Sequence, residues 1–250
     1  VATKYILTAP VAFPSAKLIR EKLLLFTRND ILVTSDESRV RNKANILFSY
    51  GLPSEYSRLN TSGFMHLCSN KNLCSSFLNE HGFTSPVFKR GTPTRQDYPL
   101  LIRTTLTGHG GKGIIICHNE RQFNTSWNTS YWWTKFINTT SEFRVHVFDG
   151  AILKLFKKVR QEELEDNDYP IRNLDNGYHF SLRNREDFPE IVSLVSNLSP
   201  ILEGGTFYGL DIGRIKNQRD YIVFEINTAC GLNEETALLY AERIAEKIVL

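Results

Sequence analysis

The stretch Gly108-His109-Gly110-Gly111-Lys112-Gly113 constrains this chain most, because a run of isoleucines comes directly after it. The letters match G-x-G-x-x-G, but a dinucleotide fold needs a helix at that point, and Ile114-Ile115-Ile116 reads as a strand. A Walker A loop needs Ser or Thr after its lysine, and here Gly113 follows Lys112. What remains is a glycine loop between two antiparallel strands, at 100–105 and 113–117. Such a flap folds over an anion, with the backbone N–H groups near Gly108, Gly110, Gly111 and Gly113 approaching it free of Cβ interference. Lys112 adds positive charge. Protein kinases use the same geometry, yet neither H-R-D nor D-F-G occurs. The bland alternative is a hairpin with no ligand, so the rest of the chain has to decide.

A second feature does. In Phe224-Glu225-Ile226-Asn227 side chains alternate, so that Phe224 and Ile226 face one side and Glu225 and Asn227 the other. Asp211 shares a face with Gly209 and Gly213 on the preceding strand, while Leu210 and Ile212 take the core face. Asp211, Glu225 and Asn227 together are oxygen ligands suited to magnesium, which is usually completed by water and phosphates. A solvated strand face is the alternative. Parity sharpens the choice. Asp211 opposes Glu225 only if the hairpin loop is odd, most simply Asn217-Gln218-Arg219. An even loop such as Gln218-Arg219 alone sets Asp211 against Ile226 unless a β-bulge restores the register.

The remaining pattern is α+β. Strands are expected at 5–7, 31–33, 46–48, 143–148, 151–159, 207–215 and 221–228, and helices at 17–26, 70–81, 188–202 and 234–249. Asn70 is a candidate N-cap, Asp149-Gly150 a two-residue hairpin turn, and 161–178 an acidic loop. With 41% hydrophobic residues and a net charge of +3, the composition is that of a globular protein with no strong bias towards nucleic acid. No apolar run reaches the ~20 residues that span a bilayer, and residues 1–5 lead into a strand and not a signal peptide. Four cysteines without CxxC spacing read as reduced thiols, which favours a cytoplasmic setting. Five N-x-Ser/Thr sequons, at Asn60, Asn124, Asn128, Asn138 and Asn197, would be glycosylation acceptors in a secreted protein but read here as chance.

The order of these features resembles the ATP-grasp superfamily from about residue 70 onward. Asn70-Lys71 with the following helix, Gly82 and Pro86 look like its opening segment. The run from Pro99 to Arg103 looks like the strand before the flap, and Trp133-Thr134-Lys135-Phe136-Ile137 like the linker between lobes. The stretch from Glu142 to Gly150 resembles the D/E-x-R strand of the ribosomal-protein glutamate ligase group. Gly209-Leu210-Asp211 and the run from Glu225 to Gly231 resemble its G-x-D and E-x-N-x-x-P-G segments. Small bacteriophage-encoded members look similar too, partly through Ile171-Arg172 and the residues up to Gly177.

The resemblance implies two α+β lobes around ATP, at 69–136 and 137–250, with a short βαβ-type lobe at 1–68. It implies phosphate contacts from Lys71 and Arg103, adenine held by the backbone near Lys135 and Phe136, and ribose by Glu142. Arg144 and Arg172 would be catalytic, stabilising charge on the transferring phosphoryl group or the acylphosphate, and Asp211, Glu225 and Asn227 would hold Mg2+. Arg103 replaces the usual Lys, Cys230 the usual Pro, and Lys135 a frequent Glu. The nucleotide-contacting cation after the turn would be Lys158, whereas a plain two-residue turn sets Lys157 opposite Glu142.

The activity implied is ATP-dependent carboxylate–amine ligation through an acylphosphate, with a small molecule, peptide or protein terminus as substrate. Its rivals are phosphotransfer to a hydroxyl, or nucleotide binding without turnover in a virion-associated protein. With glycines at 108, 110, 111 and 113, the flap is expected to exchange its amide hydrogens quickly alone and slowly with ATP. Hydrogen-exchange mass spectrometry checks this, and equal exchange in both states counts against closure.

Overall fold

In a computed structural model that describes residues 3–107, 111–161, 171–172 and 176–248, the chain builds three sheets. The first contains β1 (Lys4–Thr8), β2 (Ile31–Thr34) and β3 (Ile46–Tyr50), parallel in the order β2-β1-β3, with α1 (Phe13–Leu23) crossing between β1 and β2. Pro14 opens α1, where a missing N–H leaves nothing unpaired, so the helix starts before the expected residue 17. It also stops earlier: Leu24, Leu25 and Phe26 lie outside it, and Leu25 is 70% exposed.

Two more helices come next, α2 (Ser62–Ser69) and α3 (Lys71–Glu80). Asn70 caps α3 as expected, its Oδ1 accepting from the N–H groups of Asn72 at 3.0 Å and Leu73 at 3.2 Å. The second sheet, antiparallel, is formed by β4 (Leu100–Arg103), β5 (Ile114–Cys117) and β6 (Trp132–Lys135), with α4 (Glu120–Ser126) beside it. The third holds β7 (Thr139–Phe148), β8 (Ala151–Arg160), β9 (Tyr178–Arg183), β10 (Phe207–Ile215) and β11 (Tyr221–Asn227), antiparallel in the order β11-β10-β7-β8-β9. Helices α5 (Pro189–Leu198) and α6 (Glu234–Lys247) complete the chain. Periodicity does not pick out α2, α4, β6 or β9.

One face of the large sheet forms the main core. Phe143, Val145, Val147, Leu210, Ile212, Val223 and Ile226 pack there with Phe64 and Met65 of α2, Leu78 of α3 and Ile191 and Val195 of α5. A second cluster joins the parallel sheet and α1 to Tyr240 and Ile244 of α6 and to Phe148 and Phe207. The opposite face of the large sheet carries Phe148 and Phe207 of that second cluster towards one end and polar side chains such as Arg144 and Asp211 towards the other.

Two bulges set what points into that face. Asp149 (φ 47°) and Gly150 (φ 76°) form the expected two-residue turn, so Phe148 faces Ala151. Past Val147 the register shifts by one, skipping Leu153, and Phe143 faces Lys157. By continuation Glu142 lies across from Lys158, not Lys157. The second hairpin corrects the expected three-residue loop. Ile215 accepts from Gln218 and donates to Asp220, so four residues, 216–219, make the turn, with Asn217 at φ 63°. That even loop pairs Arg214 with Tyr221 and Ile212 with Val223. Phe224 is then skipped, and Asp211 faces Glu225 after all. The backbone groups of Val223 are taken up by the segment before β4: its N–H donates to the Thr84 carbonyl at 2.9 Å, and its carbonyl accepts from Ser85 Oγ at 2.8 Å.

Asn60 (φ 54°) is buried, with Oδ1 accepting from the N–H groups of Thr206 and Phe207 and Nδ2 donating to the Phe207 carbonyl. That sequon therefore serves the fold. All four cysteines are free and buried. Among the described residues, no helix is long and apolar enough to cross a membrane.

His146 on β7 is 3% exposed, with Nδ1 3.2 Å from Tyr240 Oη. Burial, and then the neighbouring Arg144, push its pKa down to about 3. The unfolded chain therefore takes up a proton near pH 6.5 that the folded chain refuses, so stability falls as pH drops from 6.5 towards 3. Between pH 6.5 and 5 this single site removes about 2 kcal/mol. Urea melts of wild type and His146→Gln at both pH values check it, and the variant should lose that part of the slope.

Candidate functional site

The polar face of the large sheet, the small sheet and the start of α3 enclose a cleft of about 410 Å³. Its centre is an ion pair between neighbouring strands. Arg144 on β7 lies across from Asp211 on β10, donating from Nε to Oδ1 at 2.6 Å and from Nη2 to Oδ2 at 2.7 Å. Burial alone would lower Arg144, but Asp211 holds it above its ordinary value. Burial alone would raise Asp211, but Arg144 and then Lys158 hold it below the usual carboxylate range. The pair needs Gly209: a Cβ there would stand 3.3 Å from Arg144 Cδ and 2.3 Å from Cys230 Sγ. Burial pushes the Cys230 thiol up to about 11, so this residue fills space as a neutral group.

Around this pair the other predicted residues gather. Lys158 lies 3.3 Å from Glu142 Oε2 and 3.8 Å from Asp211 Oδ1, and Thr139 Oγ1 donates to Glu142 Oε1 at 3.2 Å. Glu225 is ion-paired to Lys71, the first residue of α3, and accepts from Asn227 Nδ2 at 3.1 Å. Arg172 lines the cleft and donates to the Thr139 carbonyl at 2.7 Å.

The small sheet supplies the opposite wall. Strands β4 and β5 are antiparallel with Arg103 facing Ile114, so the glycine loop does join two strands. Gly111 (φ 79°) and Gly113 (φ 75°) both occupy the left-handed region, and a Cβ on Gly113 would meet Thr104 Oγ1 at 2.5 Å. Gly111 and Lys112 line the cleft, while Gly108 and Gly110 lie outside the described residues. Arg103 projects from β4 into the cleft, with its guanidinium 5.7 Å from the Phe88 ring centre, and its buried Nε has no hydrogen-bond partner. Burial draws its pKa down and Glu225 partly restores it.

The stretch at 132–135 forms β6, where Lys135 sends Nζ outward to the Gln96 carbonyl at 3.1 Å and the Phe136 N–H donates to the Pro99 carbonyl at 2.9 Å. One expectation needs amendment. Phe224 does not join the apolar layer. The bulge turns its ring into the cleft over Gly213, where a Cβ would stand 2.7 Å from the ring. Phe180 is an addition to the expected site; it lies on edge strand β9 with its ring centre 5.5 Å from the Arg144 guanidinium. No local pattern marks it, because it comes just after an acidic stretch that reads as loop.

Among the described residues, no group of three His, Cys, Asp or Glu side chains is placed to hold a metal ion. The oxygen donors are nonetheless hard and share one cleft. Asp211 faces Glu225 across the hairpin, Asn227 lies beside Glu225, and Glu225 is ion-paired with the Lys71 ammonium. Such hard oxygen donors are of the kind Mg2+ takes, the rest of its shell being filled by water or other oxygens.

No protein-family model matches the sequence, and no curated protein matches it. Solved structures do match in shape. A D-alanine–D-alanine ligase from Bacillus anthracis superposes with a TM-score of 0.68 at 15% identity, covering 99% of this chain and 95% of that one. The D-alanyl-alanine synthetase A of Vibrio cholerae gives 0.71 at 11% identity, covering 98% and 97%. The ATP-grasp ligase PsnB bound to a minimal precursor gives 0.69 at 10% identity, covering 99% of both. Over nearly its whole length, this chain has the ATP-grasp fold.

Proposed function

We propose that the protein is an ATP-dependent carboxylate–amine ligase that releases ADP and phosphate. The observation that carries this reading is Arg103, whose buried Nε is left unpaired in a cleft lined by six cationic side chains besides the outward-turned Lys135, and by only three carboxylates. An unpaired buried donor costs about 1–3 kcal/mol, more for a charged group, so such a wall is built for an anion that arrives later. A polyphosphate fits that surplus. The neighbours support the same chemistry: similar structures include the B. anthracis ligase complexed with ATP and PsnB complexed with Mg and ADP. The resemblance to the ribosomal-protein glutamate ligase and bacteriophage groups, and the boundaries 1–68, 69–136 and 137–250, belong to this proposal.

In this reading Arg103 and Lys71 take phosphate oxygens, Lys158 takes the oxygens of the transferring group, and Glu142 takes a ribose hydroxyl. Arg144 and Arg172 present positive charge to the substrate carboxylate. Glu225 and Asn227 would hold Mg2+ with Asp211 alongside, and the ion would supply positive charge to offset that of the phosphates. ATP supplies the phosphoryl group that turns a carboxylate oxygen into a leaving group. The amine then attacks the acyl carbon and phosphate departs. Gly111, Lys112 and Gly113 belong to a flap that keeps water from the activated acyl group, and Phe180 and Phe224 give the cleft apolar walls. Because the Phe136 amide is already engaged, adenine would meet Lys135 and its neighbours through other backbone groups.

Arg103→Met should raise the KM for ATP by about 10- to 100-fold, the worth of one charged hydrogen bond, with thermal stability unchanged or higher since a desolvated charge is gone. Arg103→Lys should recover most of the affinity. Steady-state kinetics and melting curves check both, and an unchanged KM in the Met variant removes the phosphate assignment.

Lys158→Met should lower turnover by at least about 100-fold. Lys157→Met, one step away on β8, should leave it within about threefold. The test is ADP release over paired carboxylates and amines with Mg2+, with mass spectrometry of the products. An amide product supports ligation, whereas a stable phosphorylated acceptor favours the phosphotransferase reading.

A further inference from the structure

The carboxylate of Glu225 is not bare in the ligand-free protein. Its Oε2 meets the Lys71 ammonium and its Oε1 accepts from Asn227 Nδ2. Lys71 is held at this spot by its backbone as well as its charge. It is the first residue of α3, capped by Asn70, and its N–H donates to the Leu106 carbonyl at 3.1 Å, beside the glycine flap. Opposite, both oxygens of Asp211 are taken by Arg144. Thus two carboxylates that share one side of the cleft are neutralised by side chains of this chain.

We propose that Lys71 is the resident counter-ion of the metal site: its ammonium fills the place of a divalent cation on Glu225, and arriving nucleotide phosphates draw it away. The proposal rests on the reading of this cleft as a nucleotide site. Arg144 cannot take this part, because its two-point pairing with Asp211 is buried and fixed by strand register. A lysine can, since a point charge on a flexible stem changes partner without loss of a planar fit. At 16% side-chain exposure Lys71 has room to swing, and Glu225 at 27% is open to water from which a hydrated ion would come. The consequence is an order of binding. Free metal is opposed by a like charge already seated on its main ligand, whereas metal accompanied by phosphate finds that ligand released. Nucleotide and metal then bind with positive coupling, each strengthening the other by the same factor.

Manganese is the probe, detected through the paramagnetic signal of the free ion, in titrations of the full chain with and without ADP and corrected for the complex formed in solution. Wild type should bind Mn2+ alone weakly and with ADP at least about tenfold more tightly. Lys71→Met should bind Mn2+ alone at least about tenfold more tightly than wild type, and ADP should then add less than it does in wild type. Adding Glu225→Gln should cancel the gain, and Lys71→Gln should repeat it; melting curves show that each variant is folded. Unchanged affinity for Mn2+ alone in both Lys71 variants, or a gain that survives Glu225→Gln, overturns the proposal. Should wild type fail to bind ADP under any metal condition, the nucleotide reading falls, while the arm with Mn2+ alone still decides the part played by Lys71.

Discussion

The buried pair of Arg144 and Asp211 orders the rest of the cleft. Two charges removed from water this thoroughly are stable only in good geometry, and losing one partner of such a pair costs about 3–5 kcal/mol. The pair therefore dictates its surroundings. It requires β7 and β10 to be adjacent and in register, and it requires a residue without a side chain at Gly209, since a Cβ there would strike Cys230 and crowd Arg144. With Asp211 fixed towards the cleft, Leu210 and Ile212 must enter the core, where both are fully buried. Gly213, on the same face as Asp211, leaves the space that the Phe224 ring takes. Strand β10 thus reads as alternating instructions: glycine or carboxylate towards the cleft, branched aliphatic towards the core.

Alternation alone does not bring the neighbouring strands into agreement with this pattern. Both hairpins of the large sheet start from loops of even length, and in each the regular register would put a functional side chain on the wrong face. One skipped residue repairs each. Skipping Leu153 brings Lys158 to Glu142, and skipping Phe224 brings Glu225 to Asp211. A bulge leaves backbone groups unpaired and must be supported from outside the ladder. At Phe224 the support comes from Thr84 and Ser85, more than 130 residues away in sequence. The position of Glu225 is consequently a tertiary property, fixed by where the segment after α3 runs.

This explains what can and cannot be read in the sequence. The strands β7, β8, β10 and β11 and most of their bounds are legible, because they carry dense β-branched and aromatic runs. The Asp149-Gly150 turn is legible because both positions need positive φ, which those residues tolerate. That Asp211 and Glu225 share a face is legible only as a condition, an odd loop or a bulge. The condition is met by the bulge, since Asn217 at positive φ closes a four-residue turn that the sequence does not distinguish from a three-residue one. Phe224 reads as a core residue for the same reason. The outward path of Lys135 depends on Asp97, a buried acceptor in a separate segment, and no local pattern announces it.

The charge balance of the cleft closes the physical argument. A fold gains nothing by placing six cationic side chains around three carboxylates, with Lys135 turned away to Asp97, and natural cores avoid this because each desolvated, underpaired charge costs free energy. The protein limits that cost by sharing its anions. Asp211 serves Arg144 and Lys158, Glu142 serves Lys158, and Glu225 serves Lys71 while also lying in the field of Arg103. Sharing cannot satisfy every donor, and the deficit falls on Arg103, whose Nε is left without a partner. The uncompensated charge lies on one wall of the cleft, above an apolar core whose side chains are buried. A structural network would be free to balance its charges. This one is held out of balance by strand register, and a multiply charged anion entering the cleft would complete it.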